Sequence, residues 1–205
     1  MDFTDFDAAK ILIIVASLVI AIVGHEIAHG FVAYKFGDTT AKNLGRLSIN
    51  PIRHIDPLGT IVIPSVMYMA TGLMFGWAKP VPVNMNTVIK NGGYKGAIAV
   101  ALAGILYNLI LVALAFLAFK FVKTAMPSAI LMQFLYTLLA LNLILAVFNL
   151  YPIPPLDGSK ALEYILRILG LGALTTGAVT VGTTAVTVTA AGGAIFIVGV
   201  LKLIA

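Results

Sequence analysis

The feature that most constrains this chain is the five-residue motif His25-Glu26-Ile27-Ala28-His29, which continues an uncharged, strongly apolar stretch. Residues four positions apart in an α-helix lie on the same face, about one turn apart along the axis. Two such histidines can bind one zinc ion, and the glutamate beside them can take the proton from a zinc-bound water. Because residues 11–24 carry no charge, ionisable side chains in this setting are costly and become functional candidates. The motif therefore predicts hydrolytic chemistry inside a membrane.

The composition is typical of a polytopic membrane protein. Of the 205 residues, 60% are hydrophobic and 10% are charged, and the mean hydropathy is +1.05, whereas about a quarter of the residues in a soluble domain are charged. The basic residues lie in short loops, where they orient a membrane protein, so the net charge of +5 does not indicate nucleic-acid binding. The absence of cysteine excludes disulfides and thiolate metal sites. The acidic N-terminus is unlike a secretory signal peptide, so we expect the first apolar segment to remain in the mature protein.

Uncharged runs predict the membrane segments. The runs cover residues 11–24, 57–78, 96–119, 124–156 and 168–201. Since a helical span needs about 20 residues, the first run is expected to continue through the motif to about Tyr34, and the third is one span. Prolines near the end of the fourth run break its helix, which predicts a helix over 129–150 and an irregular segment over 151–158.

The C-terminal residues are less typical of a membrane helix. Residues 175–193 are rich in Thr, Val and Gly, which are weak helix formers in water. A helix remains the expectation in lipid, because backbone groups there must bond internally. With no repeat or linker visible, residues 1–205 are predicted to form a single all-α membrane domain.

A catalytic zinc needs a third protein ligand and an open coordination position. The remaining histidine, His54, lies in a charged loop and is a weak candidate. Among the aspartates, Asp157 ends the long uncharged run and precedes Gly158. An aspartate before glycine is common in turns, but at the end of an apolar run this carboxylate more often faces a partner, and zinc is the obvious one.

Two motifs together resemble a known family. HEIAH at 25–29 and NLYPIPPLDG at 149–158 are similar to motifs of the site-2 protease family of intramembrane zinc metalloproteases. Three further segments, GRLSINPIRHIDPLGT, GWAKPVPVN and ALAGILYN, resemble its compact prokaryotic branch, which lacks PDZ and CBS domains. The resemblance covers about residues 20–163. It implies one zinc ion held by His25, His29 and Asp157, Glu26 as general base, and Asn149 acting at the oxyanion or the water.

The resemblance also implies a substrate class and shows two departures. It implies a membrane-protein substrate, such as an anti-sigma factor or a signal-peptide remnant, cleaved in the lipid bilayer of the cell membrane. The extended pieces 79–84 and 151–156 are candidates to hold an unwound substrate as short strands. The family's Ala-Gly-Pro motif reads Ala103-Gly104-Ile105 here, and residues 170–205 match nothing typical of the family.

Loop charges predict the orientation. The cationic residues after the first helix are Lys35, Lys42, Arg46 and Arg53, so residues 35–56 are expected in the cytoplasm. Asp157 reaches the depth of the HEIAH motif only if 57–78 enters the membrane and returns, as Pro64, Gly72 and Gly76 would permit. The zinc site then lies toward the cytoplasmic half, roughly 10–16 Å from the inner end of the first helix.

Two other functions remain open at this stage. A metal-ion transporter could use the same three ligands, although such proteins more often show repeated halves. A catalytically silent membrane scaffold is the other alternative, and the intact Glu26 argues against it. The sequence indicates neither the individual substrate nor the oligomeric state.

Overall fold

The structure, a computed structural model, describes residues 8–71 and 76–172. The helices, numbered along the chain, are α1 (Ala8–Lys35), α2 (Thr40–Asn43), α3 (Ile63–Thr71), α4 (Met85–Ala125), α5 (Ala129–Asn149) and α6 (Asp157–Ile168). A 3-10 turn, Pro51–His54, and a π-helical turn, Pro57–Val62, precede α3. The described ranges contain no β-strand, so the short strands expected at 79–84 and 151–156 are not formed, and both pieces are irregular backbone.

Helices α1, α4 and α5 form the membrane part of the fold. All three are long and apolar enough to cross a bilayer, which confirms an all-α polytopic membrane protein. Helix α4 packs on α1, α5 and α6, and α1 also packs on α5. Helices α1 and α4 run antiparallel, since the Tyr107 hydroxyl donates to Ile20 O at 3.0 Å while Asn91 donates to Phe36 O at 2.7 Å.

Small residues allow α1 and α4 to approach closely, as is common between membrane helices. Gly24 of α1 lies directly against the Tyr107 ring, so a side chain there would collide with it. On α4, the buried residues facing the bundle are mostly small, and they include Ala97, Ala101 and Ala103. This close packing brings polar groups of the two helices within hydrogen-bond distance.

Helix α4 extends well beyond the apolar run at 96–119. It begins at Met85, where the Asn84 side chain caps it by accepting from Thr87 N at 3.3 Å. Gly93, with φ +60° and ψ −164°, interrupts the helical conformation and separates a polar first part from the apolar span. The uncharged run identified only that span, because hydropathy does not reveal a helix that continues outside the membrane.

The apolar segment between α2 and α4 begins and ends at the same place in the structure. Trp77 donates its backbone N–H to Gly59 O at 3.0 Å and its indole N–H to Asp56 at 3.2 Å. The Asp56 carboxylate also accepts from the N–H groups of Leu58 and Gly59. These backbone bonds, the Gly59 one foremost, lower the pKa of Asp56 because they stabilise its charged form. The two ends of the apolar segment therefore meet, as expected of a re-entrant hairpin.

The end of α5 leads directly to the third predicted ligand. Helix α5 ends at Asn149, one residue before the predicted boundary, and residues 150–156 are irregular. Helix α6 begins at Asp157 itself, so this carboxylate lies at a helix N-terminus, where a negative charge is favourable. The helix expected within 168–201 lies outside the described residues from 173 onward.

Candidate metal centre

The structure brings His25, His29 and Asp157 together in the interior of the bundle. Helix α1 presents both histidines on one face, and α6 presents Asp157 against them. The three atoms His25 Nε2, His29 Nε2 and Asp157 Oδ2 lie 3.1 Å apart in every pairing. All three residues are buried. Among the residues that the structure describes, this is the group of histidine and acidic side chains able to hold a metal ion.

The Nδ1 atom of each imidazole, which is not one of the three converging atoms, makes a hydrogen bond of its own. His29 Nδ1 donates to Val100 O at 2.7 Å, because a carbonyl oxygen can only accept. His25 Nδ1 donates to Asn108 Oδ1 at 2.6 Å, and the Asn108 amide in turn donates to Asn142 Oδ1 at 2.7 Å. A neutral histidine that carries its proton on Nδ1 presents a lone pair at Nε2. Both Nε2 atoms therefore face Asp157 as acceptors.

This donor set fits a zinc ion. Three electron-rich atoms converge in a buried space, an arrangement that repels itself unless a metal ion or a proton lies between them. Two imidazole nitrogens and one carboxylate oxygen form a three-ligand set of the catalytic type. Tetrahedral ligands at 2.0–2.2 Å from zinc are separated by roughly 3.3–3.5 Å, close to the spacing found here. Hydrogen bonds on the outer nitrogens orient such ligands in known zinc sites.

Glu26 lies at the edge of the same cleft. Its Oε2 accepts from Val81 N at 2.8 Å, and its Oε1 is buried with no hydrogen-bond partner among the described residues. The cleft is lined by His29 and Asp157 together with residues of the irregular segment before α4. One carboxylate oxygen is thus fixed by the backbone, and the other has its hydrogen-bonding capacity unused within the described residues.

The other two residues singled out by the sequence lie elsewhere. Asn149 donates to Leu145 O of its own helix at 2.9 Å, and its buried Oδ1 has no partner in the described ranges. Its catalytic role stays a prediction. His54 donates from Nε2 to Ser48 O at 2.8 Å and is not part of the metal group. Burial lowers the pKa of His54, so this imidazole is neutral at pH 7.

Helix α4 supplies supporting residues that the sequence analysis did not identify. Val100, Gly104 and Asn108 follow one another at four-residue spacing and face α1. Gly104 lies directly against both imidazoles, and a Cβ at this position would collide with His25 and His29. The i, i+4, i+8 spacing and a buried asparagine in an apolar run were the available signals. The proline expected after Gly104 in the family motif is Ile105 here, and the close glycine contact is present without it.

Comparison with known proteins points to the same chemistry. Residues 119–198 match the model described as Peptidase family M50, a range that includes Asp157 and extends past the described residues. The chain is 44% identical to YwhC of Bacillus subtilis (strain 168) over 156 residues, covering 73% of this chain and 67% of that protein. YwhC is named as a zinc metalloprotease. No solved structure matches the chain.

More distant relatives carry the same kind of name. Rip2 of Mycolicibacterium smegmatis (strain ATCC 700084 / mc(2)155), also named as a zinc metalloprotease, is 30% identical over 154 residues, which are 74% of this chain and 56% of Rip2. Rip2 of Mycobacterium tuberculosis (strain ATCC 25618 / H37Rv) is 30% identical over 160 residues, which are 78% of this chain and 60% of Rip2. With the helical membrane fold, these relatives define the class as membrane zinc metalloproteases. The chain belongs to peptidase family M50, the site-2 protease family, as its motifs predicted.

Proposed function

We propose that this protein is an intramembrane zinc endopeptidase that cleaves a membrane-protein substrate within or near its transmembrane segment. The observation that carries the proposal is the position of Glu26. Glu26, whose Oε1 has no hydrogen-bond partner among the described residues, lines the same cleft as His29 and Asp157 of the metal group. The cleft lies inside a bundle of helices apolar enough to span a membrane. A general base beside a metal site is the arrangement that metal-assisted hydrolysis requires.

His25, His29 and Asp157 would hold the zinc ion, whose contribution is Lewis-acid chemistry on water and on the scissile carbonyl. Glu26 is placed to accept a proton at Oε1 from the attacking water and to return it to the leaving amine. Its Oε2 stays hydrogen-bonded to Val81 N, which fixes the carboxylate during the transfer. Asn149 is a candidate hydrogen-bond donor to the oxyanion, because its amide nitrogen carries a second N–H besides the one that donates to Leu145 O.

The substrate must be unwound before attack, because the carbonyls of a transmembrane helix are already hydrogen-bonded within it. Backbone of the irregular segments 79–84 and 151–156 is suited to hold such an opened peptide. A membrane-bound anti-sigma factor or a signal-peptide remnant fits this substrate class by family resemblance. In a transporter, Glu26 would have no chemical role. A catalytically silent scaffold would not need a base beside a complete ligand set.

Cleavage of a purified single-span substrate tests the proposal. The protein and substrate, reconstituted together in vesicles, should yield a cut within the cytoplasmic half of the membrane segment, mapped by mass spectrometry. Helix-destabilising Gly or Pro near the cut should increase the rate, since unwinding precedes attack, and a zinc chelator should abolish cleavage. Intact substrate after prolonged incubation with zinc-loaded protein, across several single-span sequences, would argue against an endopeptidase.

We propose that the site faces the cytoplasmic half of the membrane. Asn84 N donates to Asp38 Oδ2 at 2.6 Å, which keeps the end of α1 beside the start of α4 and gathers most cationic residues at one end of the bundle. The opposite end carries Lys10, Lys120 and Lys123. The excess of basic residues at the first end favours the cytoplasm for it.

Cysteine labelling tests this orientation, because the chain has no native cysteine. Ile49 and Asn86, both exposed at the cationic end, should react as cysteines only from the cytoplasmic side. Met126, exposed between α4 and α5, is the matched position at the other end and should react only from outside. Labelling of position 86 from outside would show that the segment 57–78 crosses the membrane, and the proposed orientation would be abandoned.

A further inference from the structure

A buried arginine outside the metal group contacts the backbone that forms one wall of the cleft. Arg46 follows the turn after α2 and is only 7% exposed. One of its guanidinium nitrogens, Nη2, donates to Lys79 O at 2.6 Å and to Pro80 O at 3.3 Å. A planar guanidinium can donate to two successive carbonyl oxygens in a fixed geometry, which a lysine ammonium reproduces poorly. The reaction described above assigns no role to this residue.

The backbone that Arg46 holds, residues 79–84, is here called the strap. Because the strap lies in neither a helix nor a strand, no regular hydrogen-bond ladder keeps it in place. Its N–H groups donate to three acceptors: Lys79 to His54 O at 2.8 Å, Val81 to Glu26 Oε2 at 2.8 Å, and Asn84 to Asp38 Oδ2 at 2.6 Å. The carbonyl oxygens of its first two residues accept hydrogen bonds from Arg46. Hydrogen bonds to both its N–H groups and its carbonyl oxygens therefore hold the strap in place near Glu26.

The strap has two consequences for the cleft. Pro80, Val81 and Val83 line the same cleft as His29 and Asp157, so the strap's position affects the space available to a peptide. The N–H of Val81 is also the hydrogen-bond donor to Glu26 Oε2, so the same backbone sets the direction of the carboxylate. A shift of the strap would therefore turn the base away from the attacking water.

We propose that Arg46 is a positioning residue that fixes the strap and, through Val81, orients Glu26 for proton transfer. This inference rests on the proposed endopeptidase function and adds a residue that acts without touching substrate or metal. Its contacts are charge-assisted hydrogen bonds to carbonyl oxygens in a buried setting, which are stronger than neutral ones. Removing the guanidinium leaves those carbonyls without a donor and releases the strap.

The kinetic test compares Arg46→Met, Arg46→Lys and Arg53→Met in the reconstituted cleavage assay. In Arg46→Met, kcat should fall about 10²-fold, the order expected for a misplacement near 1 Å. KM should rise as well, because the strap also lines the cleft, and the zinc content should stay at the wild-type level. Arg46→Lys keeps the charge and should recover part of kcat. Arg53 donates to Gly45 O at 2.8 Å in the same loop but is exposed and does not contact the strap, so Arg53→Met should behave as wild type.

A second measurement does not depend on activity. A single cysteine in place of Val83, a half-buried strap residue, should react with a thiol reagent faster when Arg46 is methionine than when it is arginine, and Arg53→Met should leave that rate unchanged. A wild-type kcat in Arg46→Met, a loss of activity that follows loss of zinc, or an unchanged labelling rate would each overturn the inference. If the wild-type protein cleaves no substrate, the proposed function fails, and the labelling still decides whether Arg46 holds the strap.

Discussion

Glu26→Gln should remove proteolysis while leaving the metal site intact. Glutamine has the shape of glutamate and can still accept from Val81 N through its amide oxygen, so the cleft should keep its geometry. The amide cannot take a proton at neutral pH, and loss of a general base costs about 10²–10⁴-fold in rate. We therefore expect undetectable product in a gel-based assay of single-span substrate, together with zinc content and substrate binding at wild-type levels.

The chain offers a matched control for this variant. Glu163 is a glutamate on α6 that accepts from Arg167 at 2.8 Å and does not line the cleft. Glu163→Gln makes the same chemical change outside the site and should cleave at the wild-type rate. Cleavage that persists unchanged in purified Glu26→Gln would show that another group takes the proton, and the mechanism proposed here would be wrong.

The metal group was predictable because each of its residues is marked by a pattern in the sequence immediately around it. The i, i+4 spacing of His25 and His29 follows from helical geometry alone, and their position in an apolar run made them functional candidates. Asp157 was identified by a different signal, the end of a long uncharged run before glycine. The structure brings it to 3.1 Å from both histidines, across more than a hundred residues of sequence.

The residues that support the metal group could not be predicted in the same way. Val100, Gly104 and Asn108 share a face of α4, but nothing in that helix alone shows which face meets α1. That choice depends on the close approach of the two helices at Gly24 and Tyr107, which is a property of the packed bundle. Arg46 was identified only as a loop charge, because its burial depends on the return of the re-entrant segment to His54.

Element boundaries were predicted best where residues that cap or break a helix lie beside them. Helix α5, expected at 129–150, extends over Ala129–Asn149, because Ser128 caps its start and the prolines that follow from Pro152 prevent its continuation. Helix α4, expected at 96–119, begins at Met85, because its first part is polar and is stabilised by a cap and by contacts with the end of α1. Hydropathy describes the solvent that a segment prefers, whereas capping and packing determine how far a helix continues.

Asp157→Ala should cost the protein most of its zinc. We expect the wild-type protein to carry one zinc ion per chain, since three protein ligands and an open position form a complete catalytic set. Asp157 supplies the only carboxylate of that set, and its Oδ2 faces both imidazoles while its Oδ1 accepts from Lys160 at 3.3 Å. Without it, two neutral imidazoles remain, and metal analysis after gel filtration should find little zinc. His29→Ala should behave in the same way.

Two further variants make this result specific. Asp38→Asn alters another buried carboxylate, 2% exposed against 1% for Asp157, but Asp38 binds Thr40 and Asn84 instead of the metal group, so its zinc content should not change. Asn108→Leu removes the acceptor for His25 Nδ1, together with the donor to Ala21 O and Asn142 Oδ1. It should weaken zinc affinity about 10–100-fold, as loss of an outer-shell partner does, measured by competition with a chelator. Full zinc occupancy in Asp157→Ala would remove Asp157 from the ligand set. The carboxylate would then act on the histidines as a hydrogen-bond partner, and the third ligand would have to come from elsewhere in the chain.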